Sequence, residues 1–377
     1  MNPIRLKAIV RKEFYHLVRD YRSLYLAFAI PLLLIILFGY ALSLDVDSVK
    51  TVVADYDKTP LSREFVEKLD ASPYFDFVAG IDSSGQVADY LDTEKASVAI
   101  IVPPGFMKRL KADREAQLQV IIDGSDPVFA GAVRGYVNGF VEAYNSRLIA
   151  SFLNRQGLAP TNPPVDGRVR VWFNEDLESR NFIIPGMMAI IIMIVGAMLT
   201  ALVIAREFEG GTMETIKSLP VTAGELLLGK AIPYFFITLI NVLVAMLLGQ
   251  VLFGIALKGS FWLMLAGTSL FLVCALALGL LISTAAKSQL MANQAAVMIT
   301  YLPSLLLSNF VFPIINMPVV LQWFTYLVPA RYYIDLLAGV YLRNTGLDYL
   351  WPDMAVLGGM GVLIIVLNFI WLKKEGL

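Results

Sequence analysis

Residues 224–231 read GELLLGKA, in which Gly224, Gly229 and Lys230 stand at the G-x-x-x-x-G-K spacing of a phosphate-cradling loop. Taken as such a loop, the stretch joins a strand to a helix in a nucleotide-binding fold. Taken as the start of a helix, it leads the chain into a membrane. A phosphate loop ends in Lys followed by Ser or Thr, whose hydroxyl holds magnesium. Here Lys230 is followed by Ala231, and no strand pattern precedes the stretch. Thr222 and Glu225 instead have the Thr-x-x-Glu spacing of a capping box, which predicts a helix starting at 221–225 and running through LLLGKAIPYFF into an apolar run. Inside a helix the amides of 224–230 are mostly engaged by backbone carbonyls and cannot cradle a phosphate. The spacing match is accidental on this reading, and the chain is not expected to hydrolyse ATP itself.

The composition points the same way. Of 377 residues, 57% are hydrophobic and 16% charged, against about 25% charged in an ordinary soluble domain. A helix needs about 20 apolar residues to cross the hydrocarbon core. Six segments qualify: 24–44, 182–205, 231–256, 262–284, 290–312 and 352–372. The predicted fold is therefore an α-helical polytopic membrane protein with six transmembrane helices. The run 24–44 exceeds the ~7–15-residue core of a signal peptide and is expected to be a retained span. Arg5, Lys7, Arg11, Lys12, Arg19 and Arg22 precede it, and Lys373 and Lys374 follow the last span. Both termini are thus expected in the cytoplasm, with 206–230 and the turn at Lys287, while 45–181 and 313–351 fall outside. A net charge of −1 without a long basic patch gives no reason to expect nucleic acid. The single Cys274 lies in an apolar run and His16 has no partner at metal-ligand spacing. Both read as structural residues, with no metal site and no catalytic residue.

Residues 1–22 are amphipathic, with Leu6, Val10, Phe14, Leu17 and Tyr21 on one face and Arg5, Lys12 and Arg19 on another. They are expected to form a helix in the headgroup layer with its basic side toward anionic lipid, the alternative being a solvated helix packed on the protein. The first transmembrane helix then occupies 23–44. Segment 45–181 reads as an inserted extracytoplasmic α/β domain. Strands at 50–57, 74–80, 96–103 and 116–124 alternate with helices at 61–70, 84–92 and 105–113, and a long helical pattern covers 127–157. The stretch 160–168, with Pro163 and Pro164 adjacent, reads as a linker. Asp55, Asp57, Asp123 and Asp126 stand at strand ends, where loop solvation explains them better than a metal.

Segment 206–230, REFEGGTMETIKSLPVTAGELLLGK, is the longest polar piece expected on the inner side. Gly210 and Gly211 break the preceding helix, and TMETIKSL (212–219) makes a short helix across the membrane surface, closed by Pro220. On the residues alone it is either a docking feature for a cytoplasmic partner or a plain connector. This segment resembles the permease subunits of ABC type-2 exporters, which carry an acidic-Gly-Thr pattern after the second span and a Leu-Gly-Lys further on, as in LLLGK (226–230). The similarity extends to the basic N-terminal helix, the six spans and the proline-rich return after the fifth. The external insertion is similar to the drug-efflux subgroup that works with a periplasmic adaptor. The resemblance implies two permeases, identical or paralogous, joined to two cytoplasmic ATP-binding subunits in a bacterial inner membrane. It makes 206–219 a coupling helix, with Glu207, Glu209, Gly211, Thr212, Glu214 and Lys230 as the ATPase-coupling residues. ATP belongs to the partner subunit, and this chain needs no cofactor of its own.

Polar residues in spans usually face the bundle interior. The fifth segment supplies Asn293, Gln294, Ser304, Ser308 and Asn309 around Pro303 as a candidate translocation path, with Asn241 and Asn368 as weaker candidates. Interhelical hydrogen bonding explains each of these as well. No carboxylate, Lys, Arg or His falls mid-membrane, which disfavours a proton-driven secondary transporter and suits amphipathic, drug-like or lipid-like cargo. The segment 316–345 is too interrupted for a seventh span. It reads as re-entrant or interfacial helices, with Arg331 and Asp335 paired at i,i+4 as an outer gate, or as an external loop packed on the spans. A membrane-anchored receptor or scaffold that uses the α/β domain for partner binding is the reading from another class, although six spans exceed what an anchor needs.

Overall fold

The first helix, α1 (Pro3–Arg19), starts on Asn2, whose side chain accepts the Ile4 amide at 3.0 Å. The computed structural model describes residues 2–41, 48–112, 115–125, 127–155 and 179–376. It divides into two compact units, Met1–Ser43 with Val171–Leu377, and Leu44–Arg170. The buried line of α1 runs through Glu13 and Leu17, with Leu6, Ile9 and Val10 half-buried beside them. This corrects the expected apolar face, because Phe14 points outward and is half exposed. The helix α2 (Tyr21–Ala41) follows, with Pro31 inside it.

The second unit is built on β1 (Val49–Asp55), α3 (Pro60–Asp70), β2 (Phe75–Gly80), α4 (Ser84–Asp92), β3 (Val98–Val102), α5 (Phe106–Lys111), β4 (Gln119–Ile122) and α6 (Pro127–Arg155). Its sheet has the order β2-β1-β3-β4. β1 runs parallel to β2 and β3, and β4 runs antiparallel to β3. Helices cover both faces, so β3 reads as an unbroken apolar run and all five of its residues are buried. One face packs Val53, Val98 and Ile100 on Phe65, Phe106 and Val133. The other packs Val52, Ala99 and Ile101 on Val87 and Ala96. The acids at the strand ends build the loops. Asp57 accepts the amides of Gly105 at 2.7 Å and Met107 at 2.9 Å, fixing the turn into α5. Asp55 accepts the amides of Asp57 and Lys58 at 3.0 Å each. Asp126 and the linker expected at 160–168 lie outside the described residues.

In the first unit, α7 (Arg180–Glu209) leads to α8 (Thr212–Ser218), α9 (Ala223–Phe253) and α10 (Phe261–Ala286). Next come α11 (Gln289–Ala296), α12 (Leu302–Leu306), α13 (Val319–Thr325), α14 (Pro329–Ala338) and α15 (Leu347–Lys374). Among the described residues four helices, α7, α9, α10 and α15, are long and apolar enough to cross a membrane, and Phe28–Tyr40 of α2 forms a shorter apolar helix. The fifth expected span, 290–312, is not one α-helix. A π-helical turn, Val297–Tyr301, separates α11 from α12, and the helix ends at Leu306. Pro303 accounts for this, since its ring crowds the carbonyl four residues back and it brings no N–H, so the turn before it widens. Asp353 lies near the start of α15.

The helix α7 is the centre of this unit and packs along α10. Thr200 Oγ1 donates to the Leu276 carbonyl at 3.0 Å, and Ser283 Oγ accepts the Ile204 and Ala205 amides at 2.9 and 2.8 Å. Gly279 permits the approach, because a Cβ there would overlap Thr200 Oγ1 and the Ala197 carbonyl. The α14 helix inserts into the same core. Tyr333 stacks on Phe271 with centroids 4.2 Å apart and hydrogen-bonds Thr268 at 2.9 Å.

Candidate functional site

At the end of α7 the chain turns through Gly210 and Gly211, the latter at φ 70°, a left-handed conformation that glycine adopts without steric cost. The turn sends α8 off with Met213 buried beneath it and Glu214, Thr215, Ser218 and Leu219 exposed. Pro220 then ends the segment, and Thr222 starts α9 with a reciprocal capping box. Glu225 Oε2 accepts the Thr222 amide at 3.0 Å while Thr222 Oγ1 accepts the Glu225 amide at 3.4 Å. The GELLLGKA stretch is thus the first two turns of a helix. Gly229 lies against Ile9 of α1, where a Cβ would clash.

Behind this corner lies a buried ion cluster. Lys230 Nζ donates to Glu13 Oε1 at 2.9 Å and to Glu207 Oε1 at 2.8 Å, and Lys12 Nζ reaches Glu207 Oε1 at 3.2 Å. Lys230, Glu13 and Glu207 are only 2%, 4% and 9% exposed. Two carboxylates facing two ammonium groups balance, which is the condition for burying charge at all. Thr212 donates its hydroxyl to Glu207 Oε2, tying the start of α8 into the cluster. The N-terminus seals the other side. The Asn2 amide donates to Glu225 Oε1 at 2.6 Å, and Arg5 donates to the Pro220 carbonyl.

The coupling residues expected from the sequence therefore divide. Glu207 and Lys230 face inward and, with the hydroxyl of the exposed Thr212, hold α1, α7, α8 and α9 together. Glu209 turns sideways to the turn before α11, accepting from Ser288 Oγ at 2.9 Å and from the Gln289 amide at 3.0 Å. Glu214 faces solvent with its side chain 79% exposed, 3.3 Å from Lys217. Glu13, Lys12 and Asn2 complete the arrangement and were not singled out as site residues in the sequence. The available signal was Glu13 itself, a carboxylate between Ile9 and Leu17 on the apolar side of a helix.

The path candidates do not converge on one surface. Asn293 is half-buried and Gln294 exposed, both on α11. Asn309 builds the turn after α12 at φ 69°, its side-chain Oδ1 accepting the Ile314 amide at 3.1 Å. Ser304 on α12, next to Pro303, and Ser308 just past the helix end are buried, and among the described residues their hydroxyls have no hydrogen-bond partner. Asn368 bridges α15 to the Ala277 carbonyl of α10 at 2.9 Å. The expected Arg331–Asp335 pair is not formed. The guanidinium donates to Thr325 Oγ1 and lies 4.1 Å from the Tyr326 ring centroid, because a face-on aromatic competes well for a partly desolvated arginine. Asp335 is exposed and turns to Asn309 instead.

Known proteins match along nearly the whole chain. A family profile described as ABC-2 family transporter protein matches residues 22–370. The probable multidrug ABC transporter permease YbhS of Escherichia coli (strain K12) is 36% identical over 379 aligned positions, covering 99% of this chain and 98% of that protein. The probable multidrug ABC transporter permease YbhR of the same strain is 28% identical over 350 positions, 93% of each chain. The inner membrane transport permease YhhJ, also of that strain, is 26% identical over 323 positions, 84% of each. With four membrane-length apolar helices and a profile match over most of its length, the chain belongs to the ABC-2 family of transporter permeases.

Proposed function

We propose that the chain is the permease subunit of an ATP-driven exporter that moves amphipathic, drug-like or lipid-like cargo out of the cytoplasm or inner leaflet of a bacterial inner membrane. One observation carries this reading. The exposed, charged helix α8 is braced from behind by the ion cluster of Lys230, Glu207 and Glu13, in a chain similar over 99% of its length to a probable multidrug permease. An exposed short helix with a rigid base suits a part that is pushed.

In this reading a separate ATP-binding subunit docks on Glu214, Thr215, Ser218 and Leu219. Two permeases, identical or paralogous, pair with two such subunits, and no cofactor is bound by the permease itself. Closure of the ATP-binding subunits displaces α8, and Thr212 and Glu207 carry the displacement to Lys230 and so to α9 and α1. The shift in the spans follows from contacts that differ between the two states. Six spans place both termini in the cytoplasm and the α/β unit outside, where a periplasmic adaptor docks. The path follows the interrupted fifth segment, with Ser304 and Ser308 as its buried polar groups beside Pro303, Asn293 and Gln294 toward its start and Asn309 at its outer turn. The helices α13 and α14, carrying Arg331 and Asp335, close it outside.

The test is cross-linking from Glu214→Cys in native membranes, with Cys274 replaced by Ser. Capture of an ATP-binding subunit supports the proposal. Capture of lipid or of the chain itself alone, while the α/β unit retains a protein partner, favours a receptor or scaffold instead.

A further inference from the structure

Beside the ion cluster, α1 and the end of α7 form an open cavity of about 600 Å³ lined by Lys12, Tyr15, His16, Arg19, Asp20 and Arg206. Three permanent cations face one carboxylate. Asp20 lies 3.7 Å from Arg206, and Lys12 leans to Glu207 at 3.2 Å. Arg206 Nη1 lies 3.2 Å from His16 Nδ1. Arg19 is exposed and makes no ion pair among the described residues. With Lys12 set against Glu207 and Arg206 against Asp20, one unbalanced positive charge is left at the site, on Arg19, whose planar fork matches phosphate oxygens.

A second feature adjoins it. Phe14, Tyr15 and Val18, on the outward side of α1, are each about half exposed. Apolar side chains beside a basic cavity, on a short helix at the foot of a long apolar one, form the pattern of a surface that lies in the headgroup layer. A soluble phosphate compound would use the arginines and leave Phe14 and Val18 in water. A phospholipid uses both.

We propose that this cavity is a binding site for the phosphate group of an anionic phospholipid of the cytoplasmic leaflet, with the acyl chains lying along Phe14 and Val18. The site rests on the membrane orientation given above but not on ATP-driven export. It ties α1, and through Glu13 the whole cluster behind α8, to the lipid surface. A lipid of the right charge holds the α1–α7 junction in one position, so lipid composition bears on how freely the corner moves.

The experiment uses the full chain in nanodiscs of equal phosphatidylglycerol and phosphatidylcholine, transferred to detergent, with retained lipid counted by native mass spectrometry. Wild type is expected to retain phosphatidylglycerol over phosphatidylcholine. Arg19→Gln, which removes an exposed cation outside the ion cluster, lowers retained phosphatidylglycerol about fivefold, the effect of one basic residue at a charged membrane surface, and leaves phosphatidylcholine unchanged. Arg19→Gln with Arg206→Gln lowers it further. In the unaltered chain, high salt weakens the preference. Equal retention by wild type and Arg19→Gln overturns the proposal, as does a preference indifferent to salt. Displacement of the lipid by millimolar ATP or inorganic phosphate overturns it in favour of a soluble phosphate ligand. Loss of an ATP-binding subunit from Arg19→Gln, with lipid retention intact, overturns it in favour of a protein dock. The export reading stands or falls separately, on cross-linking at Glu214.

Discussion

Lys230 and Glu13 lie 2.9 Å apart although 217 positions separate them in the chain, and both are almost fully buried. Removing one partner of such a pair leaves an uncompensated charge out of water, which costs about 3–5 kcal/mol. Lys230→Met is therefore expected to lower the thermal midpoint sharply, as measured by fluorescence-detected size exclusion after heating. Adding Glu13→Gln to it recovers part of the loss, because the two changes act on one network. Equal and additive losses would show the pair to be uncoupled.

Two glycines should differ in what substitution costs, and for different reasons. At Gly279 a Cβ would overlap Thr200 and the Ala197 carbonyl, so Gly279→Ala forces α7 and α10 apart at about 1–3 kcal/mol. At Gly211 the space is open and only the left-handed φ is strained, so Gly211→Ala costs about 1 kcal/mol. Heat-induced aggregation of the two detergent-solubilised variants gives the order directly. A more severe effect at Gly211 would mean that α8 is held by more than its turn.

Glu214→Lys reverses a charge on the exposed side of α8 without touching the buried cluster. Its ion pair with Lys217 is exposed and contributes little to stability. The expected outcome is an unchanged thermal midpoint with at least a severalfold drop in ATP-binding subunit recovered by affinity purification. Undiminished recovery places the docking surface elsewhere.

Asp57 titrates below the usual carboxylate range. Partial desolvation raises its pKa, but hydrogen bonds from Thr59 and from the Met107, Gly105 and Phe106 amides outweigh it. A folded pKa below the unfolded one stabilises fully above the unfolded value of about 3.8 and is lost as pH falls through the lower folded value. Hydrogen exchange at the Gly105 and Met107 amides should accordingly quicken at acid pH relative to the intrinsic rate. Asp57→Asn should show the weakened protection already at neutral pH. Protection in the variant equal to wild type above pH 5 would be the contrary result.

Local signals were legible in the sequence and distant pairings were not. Thr222 and Glu225 announce the start of α9 because a capping box is complete within four residues. The strands of the α/β unit show themselves through apolar runs bounded by turn residues. The ion cluster was hidden because Glu13 sits in a stripe read by its hydrophobic neighbours, while its partner lies in a different helix. Spacing alone also misled at Arg331, where Asp335 stands at the right interval but Tyr326 and Thr325 take the guanidinium. Pro303 marked the fifth segment as irregular. That the irregularity is a π-helical turn, with Ser304 and Ser308 left unpartnered beyond it, depends on packing that no local pattern reports.

The seal between the N-terminus and α9 has a consequence for biogenesis. Asn2 docks on Glu225 and Glu13 on Lys230, so α1 waits for a helix synthesised more than two hundred residues later. At about 5–20 residues per second, that delay is on the order of ten to forty seconds. Throughout it Glu13 lacks its buried partner, and α1 can close over the corner only after α7 and α9 have been made. The ion cluster is thus a late event in assembly, formed only once the helices that carry Glu207 and Lys230 stand beside α1.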